Sequence, residues 1–288
     1  MIRNFIDLLR VKHWTKNLLV FAPLIFAGAI GWSSLSHTVI AFFCLSLMAS
    51  VIYIYNDIND RSIDINNPFK KERPIASGRI NVKSARFISS ALFLLTLLTS
   101  YVFLDKLILV YLLIYFFINL LYTKFIKNMV ILDVITIAIG FVIRVIIGGI
   151  GASVLVTDWF LVMIFFISMF MGFGKRRGEI LLGGNIEKRK VTGDYNINML
   201  DIFMMSSGMI SLISYSIFTI NPEVISKFHT QHLFYTIPIV VYGIFKYTML
   251  VLQSKDTDPS TIIFKEPSIY LTICVWLVVT CFIIFKGV

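Results

Sequence analysis

The sequence contains few charged residues for its length. Of its 288 residues only 15% are Asp, Glu, Lys or Arg, whereas 58% are hydrophobic. A soluble domain carries about 25% charged residues, so the low charge argues against one. Apolar runs close to 20 residues recur along the chain, and such runs are typical of transmembrane helices. The sequence therefore predicts an all-α, polytopic membrane protein.

Cysteine and histidine are also scarce. Cys44, Cys274 and Cys281 lie in apolar runs and have no partner at the short spacings of metal sites. We interpret them as small apolar residues of the core or of the lipid-facing surface. Of the four histidines, only His13 is expected near the membrane face at which the polar loops gather. A metal centre or general base built on these residue types is therefore not expected.

The apolar runs divide into nine predicted transmembrane segments. A short amphipathic segment precedes them over residues 3–14, and its Trp14 is a plausible interface anchor. The sequence shows no linker, low-complexity stretch or second soluble part, so we expect one domain over residues 1–288. The nine segments cover about 16–32, 37–57, 83–104, 106–123, 130–152, 158–175, 197–220, 230–252 and 268–286.

Basic residues indicate the orientation of these segments. If the N-terminus is cytoplasmic, only Lys106, Lys227 and Lys286 fall outside and Arg144 falls within a segment, while the rest of the 26 Lys and Arg lie inside. This is the positive-inside pattern. We therefore expect a protein of a bacterial-type inner (plasma) membrane, with a cytoplasmic N-terminus and an outer C-terminus. The net charge of +10 then reflects cytoplasmic loops and anionic ligands rather than nucleic acid.

The most polar loop follows the second segment and reads NDINDRSIDINNPFKKERPIASG, residues 56–78. Asp57, Asp60 and Asp64 share one face if the helix continues into the loop, where three carboxylates would repel each other. A divalent cation would remove that repulsion. Carboxylates with the amide oxygen of Asn56 suit Mg²⁺, which also recruits phosphate oxygens. The pattern predicts that the three aspartates are catalytic Mg²⁺ ligands and that Asn56 contacts the substrate.

Cationic residues follow the acids in the same loop. Lys70 and Arg73 are suited to phosphate oxygens, and an arginine can bind them in bidentate fashion. We therefore predict that both residues bind substrate. Acids and cations together indicate a site for a Mg²⁺-bound diphosphate at the inner face of the membrane.

These residues carry a resemblance to a known family. The loop resembles the first signature of the UbiA superfamily of intramembrane prenyltransferases, N-D-x-x-D-x-x-x-D followed by K-x-x-R-P-I-A-S-G. The opening RVKHWTKNLLVFAPLIFAG, residues 10–28, is similar to the start of one branch, the decaprenyl-phosphate phosphoribosyltransferases. Trp14, Lys16 and Asn17 match that branch, whereas Lys12 and His13 replace a proline and a glutamine. The resemblance implies that Lys16 and Asn17 bind substrate.

Two later segments extend the resemblance. The sequence LYTKFIK after the fourth segment is similar to the superfamily's Y-S-x-x-L-K, with Tyr122 and Lys127 matched and Thr123 in place of serine. Lys127 is expected on the cytoplasmic side near the aspartates, where it could contact phosphate, although the positive-inside pattern alone also explains a lysine at this position. The resemblance implies that Tyr122 and Lys127 belong to the substrate site.

The loop after the sixth segment departs from many members of the superfamily. They carry a second D-x-x-x-D motif there, whereas this chain has GKRRGE, which resembles the G-K-R-x-x-E of the phosphoribosyltransferase branch. Lys175, Arg176 and Glu179 are therefore predicted to bind a second, phosphate-bearing substrate. Gly183 and Gly184 are expected to let the loop close over the site.

Two charged residues lie in or beside the fifth segment. An intramembrane arginine costs at least about 2.5–3.5 kcal/mol if unpaired, so we expect Arg144 to face the interior with an acid or an anionic ligand. A structural and a catalytic role both remain open for it. Asp133, at the start of the segment, is interpreted as a cap, an ion-pair partner or a site residue.

The resemblance implies a nine-helix UbiA-type bundle with active-site loops in the cytoplasm. It further implies Mg²⁺-dependent transfer of 5-phosphoribose from phosphoribosyl diphosphate to a polyprenyl phosphate, with release of diphosphate. An alternative is a polyprenyl-diphosphate transferase that alkylates an aromatic acceptor of a quinone or haem pathway, although the missing second D-x-x-x-D argues against it. A transporter would place charged residues at mid-membrane and at both ends of its pathway. The acids and bases of this sequence instead gather on one face of the membrane, which disfavours a transporter. Lipid length and oligomeric state do not follow from the sequence.

Overall fold

A computed structural model shows that the chain is helical. It describes residues 2–28, 31–67, 70–181, 195–253, 262 and 265–286, and these contain no β-strand. The α-helices are α1 Ile2–Leu9, α2 Ala22–Phe26, α3 Trp32–Asn59, α4 Arg61–Asp64, α5 Val82–Phe103, α6 Lys106–Lys124, α7 Leu132–Ala152, α8 Asp158–Leu181, α9 Ile197–Ile220, α10 Pro222–Phe228, α11 Ile237–Gln253 and α12 Pro267–Lys286. Three 3₁₀ helices cover Val11–Phe21, Ile126–Asn128 and His232–Thr236.

Eight helical segments among the described residues are long and apolar enough to cross a membrane. They correspond to eight of the nine predicted segments: α3, α5, α6, α7, α8, α9, α12 and the stretch formed by the last 3₁₀ helix with α11. The all-helical, multi-spanning prediction is therefore confirmed, whereas the ninth helix is not.

The first predicted segment differs because it is not one continuous α-helix. Val11–Phe21 is a 3₁₀ helix and only Ala22–Phe26 is α-helical. Side chains three residues apart eclipse each other in a 3₁₀ helix, which places Trp14, Asn17 and Val20 in one row. Asn17 and Val20 are buried, so the three-residue spacing of this row favours the tighter helix.

The 3₁₀ geometry also changes the reach of this segment. At about 2.0 Å per 3₁₀ residue and 1.5 Å per α residue, Val11–Phe26 extends about 30 Å, close to the thickness of a bilayer's hydrocarbon core. A ninth crossing, and with it the opposite placement of the two termini, stays a prediction.

The chain divides into two compact units. The first consists of Met1–Ile25, Ala29–Phe125 and Ile143–Leu155. Within it the end of α7 approaches the 3₁₀ helix so closely that a Cβ on Gly148 would lie 2.0 Å from the carbonyl oxygen of Val20. A buried hydrophobic cluster near the C-terminal end of α3 anchors the loop before α5. It comprises Leu8, Leu9, Ile54, Ile75 and Ala85.

The second unit consists of Phe26–Gly28, Ile126–Val142 and Val156–Val288. Here α8 packs along α9, and the core includes Phe170, Phe173 and Met204. The unit also contains a cavity of about 260 Å³ between α8, α9, α11 and α12. Side chains from all four helices line it and most of them are apolar, among them Ile167, Tyr215, Val240 and Trp276.

Candidate active site

Two carboxylates are buried where α3 ends. Asp57, in the last turn of α3, is 2% exposed, and Asp64, the last residue of α4, is 1% exposed. The chain turns between the two helices at Asp60, which is partly exposed and whose carbonyl accepts a hydrogen bond of 2.8 Å from the backbone N–H of Asp64. This turn brings Asp57 and Asp64 within reach of a common partner.

Arg73 is that common partner. Its Nη1 donates to Oδ2 of Asp64 at 2.7 Å and to Oδ1 of Asp57 at 3.1 Å. Nη2 of Arg10 also donates to Oδ1 of Asp57, and Nζ of Lys70 lies 3.9 Å from Oδ1 of Asp64. The structure therefore brings together two of the predicted metal ligands and both predicted phosphate-binding cations of this loop.

Sequence reasoning did not predict a role for Arg10. This residue has a left-handed backbone (φ 51°) between α1 and the first 3₁₀ helix, and its guanidinium lies 5.0 Å from the ring centre of Tyr53. Its ion pair joins residues 47 positions apart, which no local pattern reveals. The available signal was its place as the first residue of the opening segment that carries the resemblance.

Two oxygens of this carboxylate cluster are suited to a cation. Among the described residues, neither Oδ2 of Asp57 nor Oδ1 of Asp64 has a hydrogen-bond partner. Leaving a buried carboxylate oxygen unsatisfied is costly, and Mg²⁺ takes a few carboxylate oxygens with waters and phosphate oxygens completing its shell. The donor set therefore fits Mg²⁺.

The donor set that fits Mg²⁺ contains two aspartates, whereas the sequence predicted three. No group of three or more His, Cys, Asp or Glu in the described part of the chain stands close enough to hold a metal ion. Metal binding by Asp57 and Asp64, and the participation of Asp60, stay predictions.

Asn56 is held by α6. Oγ1 of Thr123 donates to Oδ1 of Asn56 at 2.7 Å, and the same hydroxyl lies 2.8 Å from the carbonyl oxygen of Asn119. Tyr122 is partly buried in the last turn of α6, and Lys127 is partly buried in the 3₁₀ helix Ile126–Asn128. The structure thus places Asn56 next to the residue that replaces the family's serine, while substrate contacts of these residues stay predictions.

Arg144 lies in a buried polar network of the first unit. It is 6% exposed, and it donates from Nε to Oδ1 of Asn17 at 2.9 Å and from Nη2 to the hydroxyl of Tyr115 at 2.9 Å. Asn17 in turn donates from Nδ2 to Oγ of Ser46 at 3.0 Å. The interior placement of Arg144 is confirmed.

The structure places Asn17 and Lys16, the two residues of the opening segment that were predicted to bind substrate, in different surroundings. Both ends of the Asn17 side-chain amide are used within the protein, which gives Asn17 a structural role that the sequence did not indicate. Lys16 is exposed. Contact of either residue with substrate stays a prediction.

The second unit contains an ionic cluster of its own. Nε of Arg176 donates to Oδ2 of Asp133 at 2.6 Å, and its Nη1 donates to Oε2 of Glu179 at 2.5 Å. Tyr195 donates to Oδ1 of Asp133 at 2.9 Å and accepts a hydrogen bond from the backbone N–H of Ile131 at 2.5 Å. Burial raises the pKa of Tyr195, so its phenol stays protonated and keeps donating. Ion pairing of Asp133 is confirmed.

The basic GKRRGE segment is more internal than the sequence predicted. Arg176 is 3% exposed, and Arg177 donates from Nε to Oδ1 of Asp201 at 2.6 Å and from Nη1 to the carbonyl of Val251 at 2.9 Å. Lys175 is partly buried. Substrate binding by Lys175, Arg176 and Glu179 stays a prediction. Gly183 and Gly184 lie outside the described residues.

The apolar helices and the ion-paired acids where α3 ends define a polytopic membrane protein with a cluster of acidic and basic side chains. Residues 17–269 match the model of the UbiA prenyltransferase family. The chain therefore belongs to the UbiA prenyltransferase family, a family of membrane-embedded transferases.

Two relatives have the same name. The decaprenyl-phosphate phosphoribosyltransferase of Corynebacterium glutamicum is 36% identical over 183 residues, which are 62% of this chain and 55% of that protein. The decaprenyl-phosphate phosphoribosyltransferase of Mycolicibacterium smegmatis is 27% identical over 292 residues, which cover 96% of this chain and 91% of that protein. The match thus spans little more than half of the Corynebacterium protein but nearly all of the Mycolicibacterium protein.

A solved structure shares the fold. A UbiA homologue from Archaeoglobus fulgidus, described as bound to DMAPP and Mg²⁺, superposes with a TM-score of 0.75 over 99% of this chain and 100% of that chain, at 16% identity. This similarity confirms the UbiA-type helical fold.

Proposed function

We propose that this protein transfers 5-phosphoribose from phosphoribosyl diphosphate to a polyprenyl phosphate and releases diphosphate, in a Mg²⁺-dependent reaction. The observation that carries the proposal is the buried pair Asp57 and Asp64, which Arg10, Lys70 and Arg73 surround. The names of the two phosphoribosyltransferase relatives support this choice of substrates.

The chemistry follows from the charges of the reactants. The bond between the sugar's anomeric carbon and the diphosphate breaks, and the electron pair leaves with the diphosphate while a lipid phosphate oxygen bonds to that carbon. Mg²⁺ held by Asp57 and Asp64 would supply charge neutralisation at the leaving diphosphate. Arg73 and Lys70 are close enough to these acids to orient its oxygens.

The acceptor does not require a strong general base. A lipid phosphate is already anionic at neutral pH, so its oxygen attacks without first losing a proton. The positive charge that develops at the anomeric carbon resembles that of glycoside hydrolysis. The protein's task is therefore to bring two anions together, and cationic side chains do this by reducing their repulsion.

We further propose that the cavity of the second unit accommodates part of the isoprenoid chain. Its apolar lining suits a hydrocarbon, and Gly243 on α11 borders it. A Cβ at Gly243 would lie 3.4 Å from Cγ2 of Thr272, so a larger side chain there reduces the space available for lipid.

Gly243→Leu is expected to raise the KM for the polyprenyl phosphate about tenfold, because each methylene excluded from an apolar site costs about 0.8 kcal/mol. Steady-state kinetics with each substrate varied in turn would measure this effect. The KM for the sugar donor should not change. Tyr242→Leu, at an exposed neighbouring position of α11, serves as the control. Equal KM values for the lipid in Gly243→Leu and wild type would contradict the assignment of the cavity.

The reaction itself can be tested with purified protein in detergent. Isotopically labelled phosphoribosyl diphosphate and a polyprenyl phosphate are expected to yield a lipid-linked phosphoribose, detected by mass spectrometry. EDTA should stop the reaction and Mg²⁺ should restore it. Product formation from a prenyl diphosphate and an aromatic acceptor, without any ribose-linked lipid, would replace this proposal by the alternative transferase.

A further inference from the structure

We propose that Arg73 is the resident counter-ion of Asp57 and Asp64 and that it exchanges partners when the donor binds. In the absence of donor, Arg73 neutralises the acids and opposes binding of the free metal. When the donor binds together with its metal, the Arg73 guanidinium leaves the acids and turns to the diphosphate, and Asp57 and Asp64 would then hold the metal. The inference rests on the proposed function because it concerns the same donor and metal site.

The position of Arg73 is the first observation. One nitrogen of its guanidinium, Nη1, contacts both carboxylates, at 2.7 Å from Asp64 and 3.1 Å from Asp57. Two buried acids beside each other repel unless positive charge compensates them. Arg73 supplies that compensation to both acids at once, which is also what a bound divalent cation would do.

The charge of the cluster is the second observation. Two acids and three cations, Arg10, Lys70 and Arg73, give this cluster a net charge of +1. Mg²⁺ alone would raise that charge to +3, whereas a diphosphate group brings about three negative charges and restores neutrality. The cluster therefore favours a metal–diphosphate complex over the metal alone.

The two carboxylate oxygens that accept no hydrogen bond within the described residues are the third observation. Each acid uses one oxygen for Arg73 and keeps the other, Oδ2 of Asp57 and Oδ1 of Asp64, without a hydrogen-bond partner among the described residues. One oxygen of each carboxylate can therefore still coordinate a cation, while the other oxygen accepts a hydrogen bond from Arg73. The exchange then completes a site that is already partly formed.

The backbone around Arg73 indicates that its side chain can exchange partners without a rearrangement of the loop. Its N–H donates to the carbonyl of Lys70 at 2.9 Å, and its carbonyl accepts from Oγ of Ser77 at 2.8 Å. Ile75, two residues on, is fully buried. The Arg73 side chain itself is 27% exposed, so its guanidinium can rotate towards a ligand in solvent.

Arg10 is a less suitable candidate for the exchange. Its guanidinium also lies 5.0 Å from the ring centre of Tyr53. This cation–π contact stabilises the position of Arg10 in addition to its ion pair with Asp57. Arg10 is therefore expected to remain on Asp57 while Arg73 moves.

The test measures the affinity for free metal and the affinity for diphosphate, which removal of the Arg73 charge should change in opposite directions. Mn²⁺ binding to the purified full chain is followed by electron paramagnetic resonance without donor, and binding of inorganic diphosphate is followed by calorimetry with saturating Mg²⁺. Arg73→Gln is expected to bind Mn²⁺ alone about tenfold more tightly, because the competing cation is gone. It should bind diphosphate about tenfold more weakly, because a charge-assisted contact is lost.

Two further variants separate charge from structure. Arg73→Lys keeps the charge, so we expect it to bind Mn²⁺ as weakly as wild type. Arg86→Gln removes an exposed arginine of α5 and should change neither affinity. Circular dichroism and size-exclusion chromatography establish that each variant is folded.

The outcomes distinguish this inference from the proposed function. Folded Arg73→Gln that binds Mn²⁺ no more tightly than wild type would overturn the counter-ion role, even if Asp57→Asn abolished Mn²⁺ binding in the presence of diphosphate and so supported the metal site. If wild-type protein bound no Mn²⁺ even with diphosphate, the metal site of the proposed function and the exchange would both be overturned.

Discussion

Asp57→Asn is expected to lower kcat/KM about a thousandfold while leaving the helical fold intact. The substitution keeps the shape of the side chain but removes the charge that would hold Mg²⁺ beside the leaving diphosphate. A metal ion in such a position contributes several kcal/mol of transition-state stabilisation, and each 1.36 kcal/mol corresponds to a factor of ten. The measurement is the rate of lipid-linked phosphoribose formation over a range of donor concentrations.

A control and a second observable make this prediction specific. Glu72→Gln neutralises an exposed acid in the same polar loop and should retain wild-type turnover. Asp57→Asn should also need a higher Mg²⁺ concentration for half-maximal activity. Turnover and Mg²⁺ requirement like those of wild type would remove Asp57 from the site and, with it, the central feature of the proposed function.

Asp133→Ala is expected to destabilise the protein by about 3–5 kcal/mol, the effect of removing one partner from a buried ion pair. Asp133 is fully buried and accepts from both Arg176 and Tyr195. Its removal takes from the Arg176 guanidinium its buried carboxylate partner, so that the pair with the partly exposed Glu179 must compensate the charge, and it takes from Tyr195 its acceptor. Thermal unfolding in detergent, followed by circular dichroism, would measure the loss.

Two comparison variants test the cause of this destabilisation. Asp201→Ala breaks the more exposed pair with Arg177, so its effect should be clearly smaller. The double change Asp133→Leu with Arg176→Met removes both buried charges and should recover much of the stability. If Asp133→Ala unfolded at the wild-type temperature, the ion pair would not be a significant source of stability.

The sequence predicted the membrane helices well because hydropathy is a local property. The predicted segments 83–104 and 106–123 correspond to Val82–Phe103 and Lys106–Lys124. Each helix of this length satisfies its own backbone hydrogen bonds and only needs an apolar surface. Such a segment can therefore be recognised without knowing its neighbours.

The first predicted segment shows where this locality ends. Its apolar content is compatible with either an α-helix or a 3₁₀ helix, and the choice depends on what it packs against. Trp14 donates to Oγ of Ser50 at 3.1 Å and Asn17 donates to Oγ of Ser46 at 3.0 Å, both on α3. These partners are 36 and 29 residues away in sequence, so only the folded unit fixes the helix type.

The basic residues show the same limit at the candidate site. Arg73 and Arg176 both occur in loops beside predicted helices, and both were predicted to bind phosphate: Arg73 because it follows the acids of its loop, Arg176 because GKRRGE resembles a family segment. In the structure Arg73 bridges Asp57 and Asp64 in a partly exposed position, whereas Arg176 is enclosed by Asp133 and Glu179. Burial separates a cation that can exchange partners from one that stabilises the fold.

The sequence by itself determined that this protein is a bundle of membrane helices and that acids and cations share the loop after α3, because both properties are written in consecutive residues. Only the tertiary structure decided that Arg10 pairs with Asp57, that Asn17 supports Arg144, and which carboxylate oxygens accept no hydrogen bond from the part of the chain that the structure describes. Those contacts join residues far apart in the chain. Their geometry depends on how helices pack, which no run of neighbouring residues contains.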